Sequence, residues 1–335
     1  MQDDHSQGLT FERVQAAAGR LAGVARLTPL LTSATLDADC GGPVFLKAEN
    51  FQRAGAFKFR GAYNRLSLLS GEQRAAGIVA YSSGNHGGAV ALAARLLGIT
   101  AVVVVPKTGA PAKLAAIEGY GAEMLQYDPA AGRREEIAGQ IADERSLTVI
   151  RPFDDYDVMA GQGTLGIELA RQAAGQPGRG AGDGPVDQVL VPVGGGGLSS
   201  GVATAIRALL PGAAVIGVEP AAADDTRQSL AAGHRVTIPP PDTIADGLLA
   251  EQPGELTFPI LSRLLDRVVT VPDEAIIEAM RFCFSRMKIV VEPSGATALA
   301  ALRSGAVSGA GRRTAVVVSG GNIAPDTFAA LVTRG

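Results

Sequence analysis

The sequence predicts an α/β protein built on parallel sheets, and two observations carry that expectation. Short β-branched runs alternate with Ala/Leu-rich stretches of helical period along the chain. Runs such as AVVVVP and TAVVVS are apolar at every position rather than at every second one, as expected where helices cover both faces of a sheet.

In chain order, strands are expected at Val44–Lys47, Ile78–Tyr81, Ala101–Val105, Leu147–Ile150, Val186–Val193, Val215–Glu219, Arg267–Val271 and Thr314–Ser319, each a short run dominated by Val, Ile and Leu. The stretch AGQPGRGAGDGP (Ala174–Pro185) is the clearest break in regular structure, expected as a surface loop between a helix and the next strand rather than an interdomain linker. No repeat of fixed period is visible. The first and last parts of the chain both read as α/β units, so one domain can lie inserted within another.

Composition bounds the partners. At 335 residues and 47% hydrophobic, the chain can bury a large core in one large or two smaller domains. Net charge is −3 with both signs interspersed, so no basic face points to nucleic acid or an anionic membrane, and a small molecule is the expected partner. Cys40 and Cys283 are isolated and are expected as buried reduced thiols. The first residues, MQDDHSQGLT, are acidic and polar, and no apolar run approaches the roughly 18 residues of a membrane span. A cytoplasmic protein is expected.

Three glycine-containing loops follow strands. VPVGGGGLSSGVATAI places Gly194, Gly195, Gly196 and Gly197 between a strand and an Ala-rich helix, where backbone N–H groups and the helix dipole can hold a phosphate; a flexible turn is the alternative. The loop fits neither the dinucleotide nor the nucleoside-triphosphate pattern, and a phosphate monoester suits it better. YSSGNHGGAVALAARLLG offers Ser82, Ser83 and Asn85 at a helix start, which suits a small carboxylate, or is simply a capped helix. His86 alone reads more readily as structural than as catalytic. VVVSGGNI ends a third strand with Ser319 to Asn322. Ligands in open α/β sheets lie beyond the carboxyl ends of strands, so the three loops are expected to face one cleft. Lys58, one of five lysines, sits between Phe57 and Phe59. A phosphate monoester, a carboxylate and a lysine held against aromatic surface are the requirements of a pyridoxal phosphate site.

On these residues the chain resembles the fold-type II pyridoxal-phosphate enzymes, specifically the threonine dehydratase and serine racemase family. The matching motifs are KAENFQRAGAFKFRGA, SSGNHG, AGQGT, VPVGGGGL, EPAAADD, TIADGL, VEPSGA and VSGGN, in family order over nearly the whole chain. The resemblance implies two open twisted parallel-sheet domains, tryptophan synthase β-like, with the cofactor in the cleft between them. Residues 1–77 and 155–335 would form the large cofactor-binding domain, and 78–154 a small inserted substrate-binding domain. It implies that Lys58 carries the cofactor, that Phe57 lies beside its ring, and that Asn85 bonds its phenolic oxygen. Gly194 to Gly197 would hold the phosphate and Ser319 would meet the pyridine nitrogen. Ser82, Ser83, Asn85 and His86 would lie where the substrate carboxylate binds, with Ser83 opposite the lysine. A homodimer is expected.

The implied reaction is deamination of L-threonine- or L-serine-type β-hydroxy amino acids to 2-oxo acids and ammonia, with serine racemisation or 3-hydroxyaspartate dehydration as alternatives. In VIGVEPAAADDTRQSL, Asp224 and Asp225 taken alone are helix N-caps. The racemase branch instead implies a divalent cation, Mg²⁺ or Ca²⁺ or Mn²⁺, held by Glu219, the Ala223 carbonyl and Asp225. Two departures stand out: Gly88 where the family commonly has Gln, and Arg151 in RPFDDYD where it commonly has His. Arg151 is expected to pair with Asp154 or Asp155, the alternative being a second substrate carboxylate. With so few residues after the last motif, the regulatory domain of biosynthetic threonine dehydratases, and with it feedback inhibition by isoleucine, is not expected.

Overall fold

Ten strands make two sheets in the computed structural model, which describes residues 8–109, 111–128, 132–175 and 184–333. The strands are β1 (Leu30–Leu31), β2 (Val44–Ala48), β3 (Ile78–Tyr81), β4 (Ala101–Pro106), β5 (Glu123–Tyr127), β6 (Thr148–Ile150), β7 (Gln188–Pro192), β8 (Ala214–Pro220), β9 (Arg267–Val271) and β10 (Thr314–Val318). The larger sheet has the order β1-β2-β10-β7-β8-β9, parallel except for the β1/β2 pair. The smaller sheet, drawn from residues 78–150, is parallel throughout in the order β5-β4-β3-β6. The Gly/Pro-rich loop expected across 174–185 falls mostly on residues 176–183, outside those described.

The uniformly apolar strands are covered on both faces, and the period-two alternation of a strand assigns each residue to one of them. In the larger sheet, Val44, Leu46, Leu190, Val316 and Val318 pack with residues of the helices Asp273–Phe282 and Pro293–Arg303. Their neighbours Phe45, Val189, Val191, Ala315 and Val317 pack on the other side, with Leu165, Leu169, Val202 and Ile206 of the helices Tyr156–Ala174 and Gly197–Leu209. The smaller sheet divides likewise, Ile78, Ala80, Val103 and Val105 facing one cluster and Val79, Tyr81, Val102 and Val104 another. Every expected strand is present, most with ends shifted by one or two residues; β1 and β5 were not expected.

Each sheet has a point at which its strand order reverses. In the larger sheet β7, β8 and β9 run outward in sequence while β10 returns between β2 and β7; in the smaller one β3, β4 and β5 run outward while β6 lies on the other side of β3. Crevices at such points are where open α/β sheets bind ligands. The loops after β3, β6, β7 and β10 leave from them.

The helix Lys58–Ser67 is fixed to this frame by close packing. A Cβ at Gly161 would lie 2.5 Å from the Arg60 carbonyl oxygen, so the AGQGT segment lets the two helices touch backbone to backbone. Gln162 Oε1 accepts from Gly61 N at 3.1 Å. Arg60, fully buried, is gripped by Glu49 at 2.8 Å and Glu168 at 2.6 Å. Removing one partner from a buried ion pair costs on the order of 3–5 kcal/mol, so the helix that begins at Lys58 is held rigidly.

Cys283 is buried as expected, but Cys40 is only partly so, because it ends a short helix at the surface; both are free thiols. Burial raises Cys40 to about 11 and Cys283 to about 12, which leaves both unreactive near neutral pH. No described helix is long and apolar enough to cross a membrane.

Candidate active site

Lys58 opens its helix with its ammonium in the cleft, where Nζ donates to the Pro152 carbonyl oxygen at 2.7 Å and lies 5.2 Å from the centre of the Phe57 ring. Burial lowers its pKa to about 8, helped by repulsion from Arg134. Among the described residues no carboxylate is paired with it. The residues just before it are joined to the third loop: Phe57 N donates to Ser319 O at 3.0 Å, and Ala56 and Gly320 form an antiparallel bridge.

The glycine loop after β7 meets the same segment through Phe153. A Cβ at Gly195 would lie 2.5 Å from the Phe153 ring, so only glycine admits that ring. Thr257 Oγ1 donates to Gly195 O at 2.8 Å, and the turn carrying Thr257 is held by Asp154, which accepts from Leu256 N at 2.9 Å. The first bond of the helix Gly197–Leu209 is donated by Ser200 to Gly196 O at 2.9 Å. The N–H groups of Gly197, Leu198 and Ser199 have no partner within the helix, and with the dipole they suit a phosphate.

After β3, the first bond of the helix Asn85–Leu97 is donated by Gly88 to Gly84 O at 3.2 Å, so Asn85, His86 and Gly87 present unshared N–H groups. Ser82 Oγ accepts from Gly84 N at 3.2 Å, whereas the Ser83 hydroxyl makes no hydrogen bond among the described residues. The His86 ring is turned inward with Nε2 3.2 Å from Ile150 O, and burial together with Lys58 pushes its pKa down to about 3. Neutral and enclosed, it can offer an anion its backbone N–H. Gly88 faces open space.

Asn85 joins the second and third loops. Its Oδ1 accepts from Asn322 Nδ2 at 2.8 Å and its Nδ2 donates to Glu292 Oε1 at 2.6 Å. Ser319 is 4% exposed, its hydroxyl 3.4 Å from Ser294 O. The three glycine loops and Lys58 are thus brought together.

Glu219, near the end of β8, and Asp225, opening the helix Asp225–Ala232, are fully buried. Glu219 accepts from Thr226 N and Arg227 N at 3.0 Å each, but among the described residues neither oxygen of Asp225 has a hydrogen-bond partner. Burial raises Glu219 to about 7; burial and the Glu219 charge raise Asp225 to about 8. Asp224 holds the N-cap position, yet its carboxylate binds the Arg227 and Gln228 side chains instead of the helix start. Among the described residues no group of three or more His, Cys, Asp or Glu side chains forms a metal cluster.

The expected pairing of Arg151 does not occur. Arg151 is exposed, Asp154 caps the turn at Thr257, and Asp155 takes Arg65 at 2.9 Å while capping the helix Tyr156–Ala174. Both carboxylates have backbone donors that a surface guanidinium cannot outbid. Arg151 stands instead just beyond β6, whose neighbour β3 leads into Ser82 and Ser83. The sequence reading also gave no role to Arg134, Pro152, Phe153, Thr257 or Glu292. VEPSGA contained Glu292 as a motif, but only folding reveals its contact with Asn85.

Two parallel α/β sheets whose switch-point loops enclose a partly desolvated lysine define a cofactor-dependent enzyme. The chain belongs to the pyridoxal-phosphate dependent enzyme family, whose model matches residues 21–320. It is 45% identical over 323 residues to an L-threo-3-hydroxyaspartate ammonia-lyase of Pseudomonas sp, covering 96% of this chain and 98% of that one. To a serine racemase of Schizosaccharomyces pombe it is 42% identical over 325 residues, covering 97% and 98%. Among solved structures it is similar to a maize serine racemase, with a TM-score of 0.90, 38% identity and coverage of 96% of each chain.

Proposed function

We propose that the protein is a pyridoxal-phosphate-dependent ammonia-lyase that deaminates L-serine-, L-threonine- and 3-hydroxyaspartate-type substrates to 2-oxo acids and ammonia. The observation that carries this reading is Lys58: an amine near 8, placed in the cleft on the Pro152 carbonyl and unpaired with any acid among the described residues, is neutral in roughly a tenth of the molecules at pH 7, far more than an ordinary lysine, and so able to attack a carbonyl. In this reading the N–H groups of Gly194, Gly195, Gly196 and Gly197 hold the phosphate, Phe57 flanks the ring, Asn85 donates to the phenolic oxygen and Ser319 meets the pyridine nitrogen. Ser82, Ser83, Asn85 and the His86 N–H receive the substrate carboxylate. The bound cofactor supplies the sink for the electron pair released at Cα. Lys58 Nζ takes the Cα proton, and a neutral Ser319 hydroxyl at the ring nitrogen favours loss of the β-substituent over transamination. Residues 1–77 with 155–335 serve as the cofactor-binding part and 78–154 as the substrate-binding part.

Racemisation is the second reading, favoured by the unengaged Ser83 hydroxyl and by the similarity to a serine racemase. Arg151 refines the substrate. It is exposed and has no ion pair among the described residues, so its guanidinium on the substrate side is open to a second carboxylate, whereas Arg134 is already paired with Glu135 at 3.0 Å. A panel of L-serine, L-threonine and L-threo-3-hydroxyaspartate, scored for 2-oxo acid and D-amino acid, tests the reading. Arg151→Gln is expected to lower kcat/KM about tenfold for 3-hydroxyaspartate, the low end for a hydrogen bond to a charged group, and to spare L-serine. An equal effect on both substrates would remove Arg151 from recognition.

We also infer a divalent cation, Mg²⁺ or Ca²⁺ or Mn²⁺, held by Glu219, the Ala223 carbonyl and Asp225. Two buried oxygens without partners beside a second carboxylate support it, since a hard cation would neutralise what burial penalises. Its role is structural. Chelation is expected to lower thermal stability and activity together, and cation at about 100 times its Kd should restore about 2.7 kcal/mol. Unchanged stability and turnover in EDTA would remove the cation from Glu219 and Asp225. Finally, we infer a cytoplasmic homodimer: the free thiols suit a reducing compartment, and Phe51, Phe284 and Val290 are exposed apolar residues suited to a subunit contact, testable by light scattering.

A further inference from the structure

Glu292 is 1% exposed, yet among the described residues no cation is bonded to it. Its Oε1 accepts from Asn85 Nδ2 at 2.6 Å, and its Oε2 is buried without a partner. The site is shaped around the carboxyl, because a Cβ at Gly320 would lie 2.1 Å from Oε1. The charged groups facing it are Asp246, from the turn Asp246–Leu248 beyond the helix Asp225–Ala232, and Lys113, on the helix Pro111–Gly119; these two pair with each other. Burial first, then Asp246, raise Glu292 to about 8, while Lys113 and the Asn85 contact work the other way. An isolated buried carboxylate is the costly form, so at neutral pH the proton sits on the carboxyl, where Oε2 is the oxygen free to carry it.

The orientation of the Asn85 amide is fixed from the other side. Asn322 Nδ2 donates to Ala54 O at 2.7 Å and to Asn85 Oδ1 at 2.8 Å, which commits both of its hydrogens. Asn85 must therefore turn its NH₂ toward Glu292. One hydrogen goes to Oε1 and the other remains for a ligand.

We propose that Glu292 is a positioning residue that, in its protonated form, fixes Asn85 so that the remaining amide N–H is aimed at the phenolic oxygen of the cofactor, and that its ionisation weakens this contact. The inference rests on the assignment of Asn85 to that oxygen. An ionised carboxylate is the stronger acceptor; it draws the amide toward itself and leaves the second N–H a poorer donor. The cofactor's visible absorption reports on the charge at its phenolic oxygen, so the effect is read without turnover.

The experiment is a pH titration of the visible spectrum of the holoenzyme, wild type against Glu292→Gln, which keeps the acceptor toward Asn85 and removes the ionisation. Wild type is expected to show a spectral step near 8 that the variant lacks while retaining its colour. The same step in both proteins overturns the inference and leaves the cofactor assignment standing. A wild-type protein with no chromophore on Lys58 would instead break the assignment itself. If the variant does not fold, infrared spectroscopy of wild type with Mg²⁺ present serves: a protonated-carboxyl band should fade as pH rises through about 8, and its absence at neutral pH overturns the proposal.

Discussion

Lys58→Met is expected to give a colourless protein with kcat reduced by at least ~10²–10⁴-fold, the range contributed by one positioned proton-transfer group. The loss should exceed that range, since the same amine also attaches the cofactor in this reading. Borohydride treatment of the wild type followed by peptide mapping should find the pyridoxyl group on Lys58. Its competitors are engaged otherwise: Lys47 Nζ is held by Glu168 at 2.5 Å and Gln172 at 2.9 Å, Lys113 by Asp246, and Lys288 by Ser285 O at 2.6 Å. A label on Lys47, Lys107, Lys113 or Lys288 would sink the assignment. The unliganded variant should be no less stable than wild type near neutral pH. Burial lowers Lys58 from 10.5 to about 8, so the unfolded chain binds more protons between these values and stability rises with pH across that window. The advantage of the uncharged side chain should therefore shrink as pH is raised toward 10.5. For the same reason, cofactor capture by wild type should quicken with pH up to about 8 and then level off.

What was legible in the sequence follows from what burial writes into it. Strands covered on both faces, such as Ala101–Pro106 and Thr314–Val318, announce themselves as unbroken apolar runs. The two missed strands are edges: Leu30–Leu31 has only two residues, and Glu123–Tyr127 has no fully buried position. The loops around Gly194, Ser83 and Ser319 could be read because small and capping residues cluster where a strand meets a helix. Contacts between distant segments leave no such local mark. Asn85 and Glu292 are 207 residues apart, and Asp154 reaches Leu256 across 102, so neither partner could be paired from pattern alone. Arg151 was misjudged for the related reason that Asp154 and Asp155 look free in the sequence but are consumed by backbone donors in the fold.

Ser83→Ala is expected to abolish conversion of L-serine to its D form, and all use of D-serine, while leaving measurable deamination of L-serine. Racemisation needs an acid or base on each face of the reacting carbon, and Lys58, tethered at the start of its helix, can serve only one. Its ammonium is fixed on the Pro152 carbonyl at 2.7 Å, whereas Ser83 lies on the loop after β3, in the other sheet from the one that carries the glycine loop Gly194–Gly197. Among the described residues the Ser83 hydroxyl makes no hydrogen bond, so it is free to give and take a proton. His86 cannot replace it, because its ring is turned to Ile150 O and depressed to about 3. Removing the hydroxyl leaves the lysine face intact, and in the proposed reading Ser82, Asn85 and His86 would still receive the carboxylate. L-serine deamination should thus fall by about tenfold or less, in line with one lost hydrogen bond to a charged group, against a loss of ~10²–10⁴-fold for the step needing the second face. Paired assays of pyruvate from L- and D-serine, with chiral analysis of residual serine, separate the two effects. If the variant consumed D-serine as fast as wild type does, another group would be working that face, and Ser83 would be left with the carboxylate alone.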